Sequence, residues 1–374
     1  MYTTERSRDG GLPISEQFAD ILQSDIANYV ESLRKLDNPI VADTLQRARS
    51  QMLSEGVLKQ AQPANSLGSL VAVDGGNNVL NTGAGTHCFI LSVRYSSRPN
   101  YDVHFSMERL NFEHEEPSAL MYGVRNALEV RDIYEANEQD SFCIVDNSWV
   151  SLLQNINRTL VHYGHISSKD KDTLEPFLRP MLSQSGHFIT ALRHSRNIAI
   201  SKGGVSSSYC NKYSNGVINL ADKIFLLGIM EAGEYTEPLP LVKSGQGQLN
   251  THTDNIFACH QSVNKFYNSD FNSTGDGCIC STYFKPHPWS PVKRIEFHRD
   301  LLRQEQNLFF QMLATIQESM TIPTIHEPLE QFLVDEIVRR HTGRIPDLYQ
   351  TASIANIRDF NSPFAMQLVR RLRT

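Results

Sequence analysis

Hydrophobic and polar positions along the chain fall into helical and strand-like stretches. Phe18, Ile21, Leu22 and Ile26 recur to Leu33 at helical spacing behind Ser15, a residue type that caps helix starts, and a second helix is predicted from about Asp43 to Leu58. AQPANSLGS then has the composition of a linker. Leu70-Val71-Ala72-Val73 is a short run of β-formers halted by Asp74-Gly75-Gly76, the profile of a buried strand that ends at a loop. Cys88 to Tyr95 and Tyr101 to Phe105, joined by SSRPN, predict a hairpin. A helix over 117–136 follows, with Pro117 in its first turn, and Phe142-Cys143-Ile144-Val145 is a second buried strand closed by Asp146. Beyond it the pattern predicts helices at about 148–163 and 174–195, a strand over 197–201 and a helix near 218–227. Strands around 278–285 and 292–298 precede helices near 301–318, 327–341 and 355–372, and no internal repeat is visible.

Three consecutive strands followed by helix–strand alternation match the ribonuclease-H-like plan, an α/β fold with a mixed sheet flanked by helices. In that plan the acids ending the first and fourth strands face each other, and ligands collect at strand ends. The expected division is an N-terminal helical extension over 1–66, the ribonuclease-H-like domain over 67–345 and a C-terminal helical tail over 346–374.

Composition narrows the chemistry. The 374 residues carry 35 Lys plus Arg against 41 Asp plus Glu, a net charge of −6, with 40% apolar and 20% charged residues, which excludes collagenous, coiled-coil and wholly disordered classes. No window approaches the ~18 uninterrupted apolar residues of a membrane span, and MYTTERSRDGGLP lacks a signal-peptide apolar region, so a soluble cytoplasmic protein without a membrane partner is expected. Six cysteines in a chain this long suit reduced thiols. A mildly acidic protein that binds nucleic acid needs local basic stripes, metals or a partner to supply the attraction.

Asp74 and Asp146 each end a strongly apolar strand, with a hairpin and a helix between them. Either alone is an ordinary strand-to-turn acid; as a pair they point to a site. Hydrolysis of a phosphodiester calls for neutralised charge and an activated water, which two divalent ions about 3.5–4 Å apart supply, held by carboxylates from separate elements. Glu115, Glu116, Glu129 and Glu135 compete for a third position, and periodicity reads Glu129 as one half of an exposed ion pair with Arg125.

VAVDGG, VRNALE, CIVDNS and IAISKGGVSSSY together resemble the successive blocks of the NurA nuclease family, and the likeness continues through Tyr283-Phe284-Lys285, Arg294-Ile295-Glu296-Phe297 and EPLEQFLVDEIV, over about residues 70–340. The resemblance implies a dimeric, manganese- or magnesium-dependent ribonuclease-H-like nuclease. It would act on DNA ends with 5′-to-3′ polarity and on single strands, beside the hexameric HerA translocase ATPase in end processing or anti-phage defence. Asp74, Asp146 and Glu129 match the family's metal ligands, and Lys202 a lysine that contacts phosphate. Asn147 stands where relatives carry Gly, and Asp335 where many carry His. The adjacent Glu336 competes with Asp335, which is preferred because a Leu-Val pair precedes it.

Lys202 lies between an apolar strand and Gly203-Gly204, placed to reach a phosphate. No phosphate-binding G-x-x-x-x-G-K-[ST] occurs, so any motor belongs to a partner. Cys259-His260, Cys278-x-Cys280 and His287 lack the paired spacing of a zinc site. Tyr283, Lys285 and Arg294, with Trp289, Lys293 and Arg299, interleave aromatic and basic residues as a single-strand groove would. Arg358, Arg370, Arg371 and Arg373 give a basic end. Two rival expectations remain: a non-catalytic adaptor on a HerA-type ring, and RNA in place of DNA.

Overall fold

The computed structural model describes residues 38–357, except 69, 83–84, 97–101, 114–116, 138–140, 183–185, 203–205, 242–278 and 305, and gives only the backbone of 153, 157, 304, 306, 356 and 357. The helix expected behind Ser15, the zinc candidates Cys259, His260 and Cys278, and the arginines of the C-terminal end lie outside the described residues.

Helix α1 (Pro39–Ser54) and strand β1 (Leu58–Gln60) open the described chain, followed by β2 (Leu70–Thr82), β3 (Gly85–Ser96), β4 (Asp102–Leu110), α2 (Ser118–Ala136), β5 (Phe142–Val145), α3 (Trp149–Tyr163), α4 (Ser168–Leu182), α5 (His187–Arg193) and β6 (Asn197–Ser201). The second half holds α6 (Ser208–Tyr213), α7 (Asp222–Leu227), β7 (Glu234–Thr236), β8 (Leu239–Pro240), β9 (Ile279–Phe284), β10 (Lys293–His298), α8 (Asp300–Gln304), α9 (Gln306–Ser319) and α10 (Leu329–Ile357). One sheet carries every strand among the described residues, in the order β1-β7-β9-β10-β6-β5-β2-β3-β4, with β8 beside β9. Within it β2, β3 and β4 are antiparallel neighbours and β5 and β6 run parallel to β2. This is the ribonuclease-H-like arrangement, widened by an antiparallel extension.

Apolar residues alternate between the sheet's two faces. Val71 and Val73, with Val145 and Ala199, pack under α2, α3, α4 and α5. Leu70, Ile144, Ile198 and Phe297 pack under α9, and Ala72, Leu91 and Val93 under Val334 and Val338 of α10.

Several boundaries differ from the sequence pattern, each for a local reason. β2 does not stop at Asp74 but pairs with β3 from Val71 to Thr82, because its glycines are tolerated where helices come close. The helix expected over 174–195 is α4 and α5, and α4 starts at Ser168 in a polar turn with no apolar period. The helix expected near 218–227 is the shorter α7, and α6 precedes it unforeseen, with the Asp222 carboxylate accepting the N–H groups that open α6, from Ser208 at 3.0 Å and Tyr209 at 2.8 Å. The segment before residue 66 is tied into the sheet through β1, and α10 runs unbroken through position 345 despite Pro346. No described helix is long and apolar enough to cross a membrane.

Candidate metal centre

Asp74 and Asp146 meet because β2 and β5 are parallel neighbours whose pairing ends at Val73 and Val145. The Asp146 N–H donates to the Val73 carbonyl at 3.3 Å, which sets the two acids side by side. Strand alternation sends the Asp74 side chain toward the α10 face, since Ala72 on that face packs beneath α10. Helix α10 supplies Asp335, one residue after fully buried Val334. Carboxylate oxygens of Asp74, Asp146 and Asp335 all lie within 4.8 Å of one another. Three hard oxygen donors from three elements, none fully buried, are a donor set that manganese or magnesium fits. Glu336 is turned away, paired with Arg339 and with Arg340 at 3.4 Å, so geometry selects Asp335 of the two.

Three further side chains complete the surroundings. Lys202, just past β6, places its ammonium 2.9 Å from Asp146 and 3.4 Å from both Asp335 and Glu327. These carboxylates hold its pKa above the ordinary lysine value against the opposing effect of burial. Gln331, one turn before Asp335 and fully buried, donates to Asp146 Oδ1 at 2.5 Å and so fixes that carboxylate's orientation. Its Oε1 has no hydrogen-bond partner among the described residues. Neither Glu327 nor Gln331 stands out in the sequence, where EPLEQF carries the signal of a helix start and nothing more.

Glu129 arrives from the other face. A Cβ built on Gly75 would lie 2.3 Å from Glu129 Oε1 and 2.8 Å from Arg125 Cγ, so helix α2 rests on the bare backbone just past Asp74. On the opposite face a Cβ on Gly76 would lie 2.6 Å from both Thr342 Cγ2 and Val338 Cγ1 of α10. The Gly-Gly pair is therefore not a loop signal; it lets two helices close on the strand from both sides. Glu129 is buried, not exposed as its pairing with Arg125 predicts, although that pair forms at 3.3 Å. It lies across Gly75 and outside the group of three carboxylates.

The acids load this region with like charge. Burial, then repulsion from Asp146, Glu129 and Asp335, holds Asp74 well above the usual carboxylate range against a hydrogen bond from the Gly75 N–H. Burial pushes Glu129 up to about 7, opposed by Arg125 and reinforced by Asp146 and Asp132. A carboxyl whose folded-state pKa is raised contributes stability below its unfolded value of about 4.3 and loses it as pH climbs through the folded value. Metal-free protein is expected to lose stability between about pH 4.3 and about 7. Manganese is expected to raise the melting temperature by several degrees, and more at pH 8 than at pH 5, as thermal unfolding with and without the ion will read.

The remaining candidates are dispersed. Tyr283 is 5% exposed and packs edge-on against Tyr209, so its ring is not presented for stacking. Arg294 points toward buried Glu296 at 3.3 Å, and the Lys285 ammonium donates to the Met230 carbonyl at 2.8 Å. These three residues are thus engaged within the protein, Tyr283 by ring packing, Arg294 by Glu296 and Lys285 by backbone carbonyls, and do not line an open groove together. Cys280 is a buried core thiol, and His287 stacks on Trp289 at 4.9 Å. Among the described residues His104, Asp132 and Glu135 also cluster, but Asp132 is occupied by Ser92 at 2.5 Å and Ser106 at 3.0 Å, and Arg94 lies 3.4 Å from Glu135.

No family model matches the sequence, and no curated protein matches it. Among solved structures, the NurA nuclease from Sulfolobus solfataricus superposes with a TM-score of 0.59 at 11% identity, over 93% of this chain and all of that one. A second NurA structure superposes with a TM-score of 0.52 at 9% identity, over 94% of this chain and all of that one. The chain has the NurA fold.

Proposed function

We propose that the chain is a metal-dependent deoxyribonuclease that hydrolyses phosphodiester bonds in linear DNA. The observation that carries this reading is the convergence of Asp74 within β2, Asp146 at the end of β5 and Asp335 on helix α10. The NurA fold around them supports it. Manganese or magnesium bound there, as the pair of ions the sequence resemblance implies, supplies charge neutralisation on the scissile phosphate and a more acidic water.

This chain's own residues do the rest. Asp74, Asp146 and Asp335 present the hard oxygens, and Gln331 keeps Asp146 turned toward them. Lys202 balances the acids and, on its flexible stem, is the group that turns to a phosphate. Glu129 is the fourth carboxylate of the reading, acting across Gly75 through its charge on Asp74. Sequence resemblance supports the finer features: 5′-to-3′ polarity, a homodimer, and a HerA-type hexameric ATPase that feeds DNA in repair or defence.

The test is cleavage of single-stranded, blunt and circular DNA by the purified chain in manganese, in magnesium and in chelator, with and without the translocase. Linear DNA is expected to be degraded in manganese and spared in chelator. Cleavage only beside the ATPase would make the enzyme a gated one. Intact DNA in every condition would refute the nuclease and leave a non-catalytic adaptor on the ATPase ring.

A further inference from the structure

Next to the carboxylates lies a cavity of about 370 Å³ whose wall has the opposite charge character. That size is at the lower end of small-ligand pockets, ~300–1,000 Å³. Lys202 and Glu327 form the side shared with the acids, while Lys223 from α7 and Lys293 from β10 come from the other side. Ile224 and Leu227, two of the exposed large apolar side chains, line it as well.

The two added lysines lack what surface lysines ordinarily have. Neither has a carboxylate within ion-pair distance among the described residues, whereas Lys202 touches three. Lys293 is 8% exposed and still lines the cavity. The Lys223 ammonium is held by the carbonyls of Ser201 and of Lys202, the latter at 3.2 Å, which aims it at the end of β6. A buried ammonium without a counter-ion is costly, and an anion in the cavity relieves that cost. Burial pushes both ammoniums down to about 8, consistent with groups that gain from a negative neighbour. Glu327 does not oppose an anion strongly, because Lys202 lies against it at 3.4 Å.

We propose that this cavity receives the terminal phosphate of a nucleic-acid strand, with Lys223 and Lys293 as its anion contacts and Ile224 and Leu227 as an apolar shelf for the end nucleoside. The inference rests on the nuclease reading for its choice of ligand. A phosphomonoester carries about −1.5 to −2 charges at neutral pH, against one for an internal phosphodiester, and so matches two unpaired ammoniums better. A strand held by its end beside the carboxylates would present a bond near that end to Asp74, Asp146 and Asp335.

The experiment measures fluorescence anisotropy of the full chain in calcium, an ion that carboxylate sites accept. The probe is one single-stranded deoxyoligonucleotide bearing a 5′-phosphate, a 3′-phosphate or hydroxyls at both ends. One phosphorylated end is expected to bind about tenfold tighter than the hydroxyl form, the size of a charge-assisted contact. Which end does so identifies the source of the phosphate. That advantage is expected to fall to about twofold or less in Lys293→Gln and in Lys223→Gln, and to be retained in Lys223→Arg. Half-buried Lys223 keeps the test open if Lys293→Gln fails to fold. Equal binding of all three probes by the parent, or an advantage that survives both Gln variants, overturns the inference. Cleavage in manganese is scored separately. A parent that cuts DNA without preferring phosphorylated ends refutes the pocket alone, and one that prefers them without cutting refutes the nuclease alone.

Discussion

Asp74→Asn is expected to reduce manganese-dependent cleavage of linear DNA by about a hundredfold to a thousandfold, the scale seen when a charge-stabilising group is removed from an active site. The fold is expected to survive. Asn retains the volume of Asp and an oxygen to accept the Gly75 N–H, now 2.8 Å from Asp74 Oδ1. Like charge is what the substitution removes. Asp74 is pushed up by burial and then by Asp146, Glu129 and Asp335, so a neutral amide lowers the repulsion in metal-free protein. Melting of the metal-free variant at pH 8 should equal or exceed that of the parent, and the increment produced by manganese should shrink. Loss of cleavage with a preserved or raised melting temperature separates a ligand from a merely structural acid. A variant that cuts within a few-fold of the parent would remove Asp74 from the centre.

Gly75→Ala is expected to lower stability by about 1–3 kcal/mol, the usual cost of forcing a methyl group into a filled site, and to reduce cleavage with it. The new Cβ meets Glu129 Cγ at 2.9 Å and Arg125 Cγ at 2.8 Å, atoms close to the helix backbone that cannot simply swing aside. Either α2 retreats from the sheet or Glu129 leaves its place beside Asp74. A mutant cycle distinguishes this from a general strand effect: in a background carrying both Glu129→Ala and Arg125→Ala most of the destabilisation by Gly75→Ala should disappear. An unchanged cost in that background would mean the glycine serves only the strand.

Much of the fold is legible in the one-dimensional pattern. VAVD and CIVD read as buried strands because both faces of the sheet are covered, which turns alternation into continuous apolar runs. The hairpin and the long helix after it follow from period and turn chemistry. Short strands such as β1 and β7 escape notice, since three residues carry no period. The Gly-Gly pair misleads for another reason. Local chemistry reads glycine as a turn, whereas here it is an absence of side chain needed by α2 and α10, hundreds of ångströms of unfolded contour away in the case of α10.

The primary structure by itself determined much of the order of elements, the two acids that close apolar runs, and, through the ribonuclease-H-like plan, that those acids face each other. It preferred Asp335 to Glu336 without excluding the latter, read Glu129 by periodicity as a solvent-exposed partner of Arg125 and only by resemblance as a ligand, and carried no sign of Glu327, Gln331 or the Lys223–Lys293 cavity. Those were decided only in three dimensions: Glu129 by the seating of α2 on Gly75, the cavity by α7 beside β10, and Asp335 and Gln331 by the phase with which α10 sets Val334 and Val338 on Ala72 and Val93. That packing turns Asp335 toward Asp74 and leaves Glu336 to Arg339 and Arg340. The physical reason is one of range. Apolar periodicity is a property of neighbours along the chain, while a cluster of carboxylates against a wall of lysines depends on which remote surfaces exclude water together.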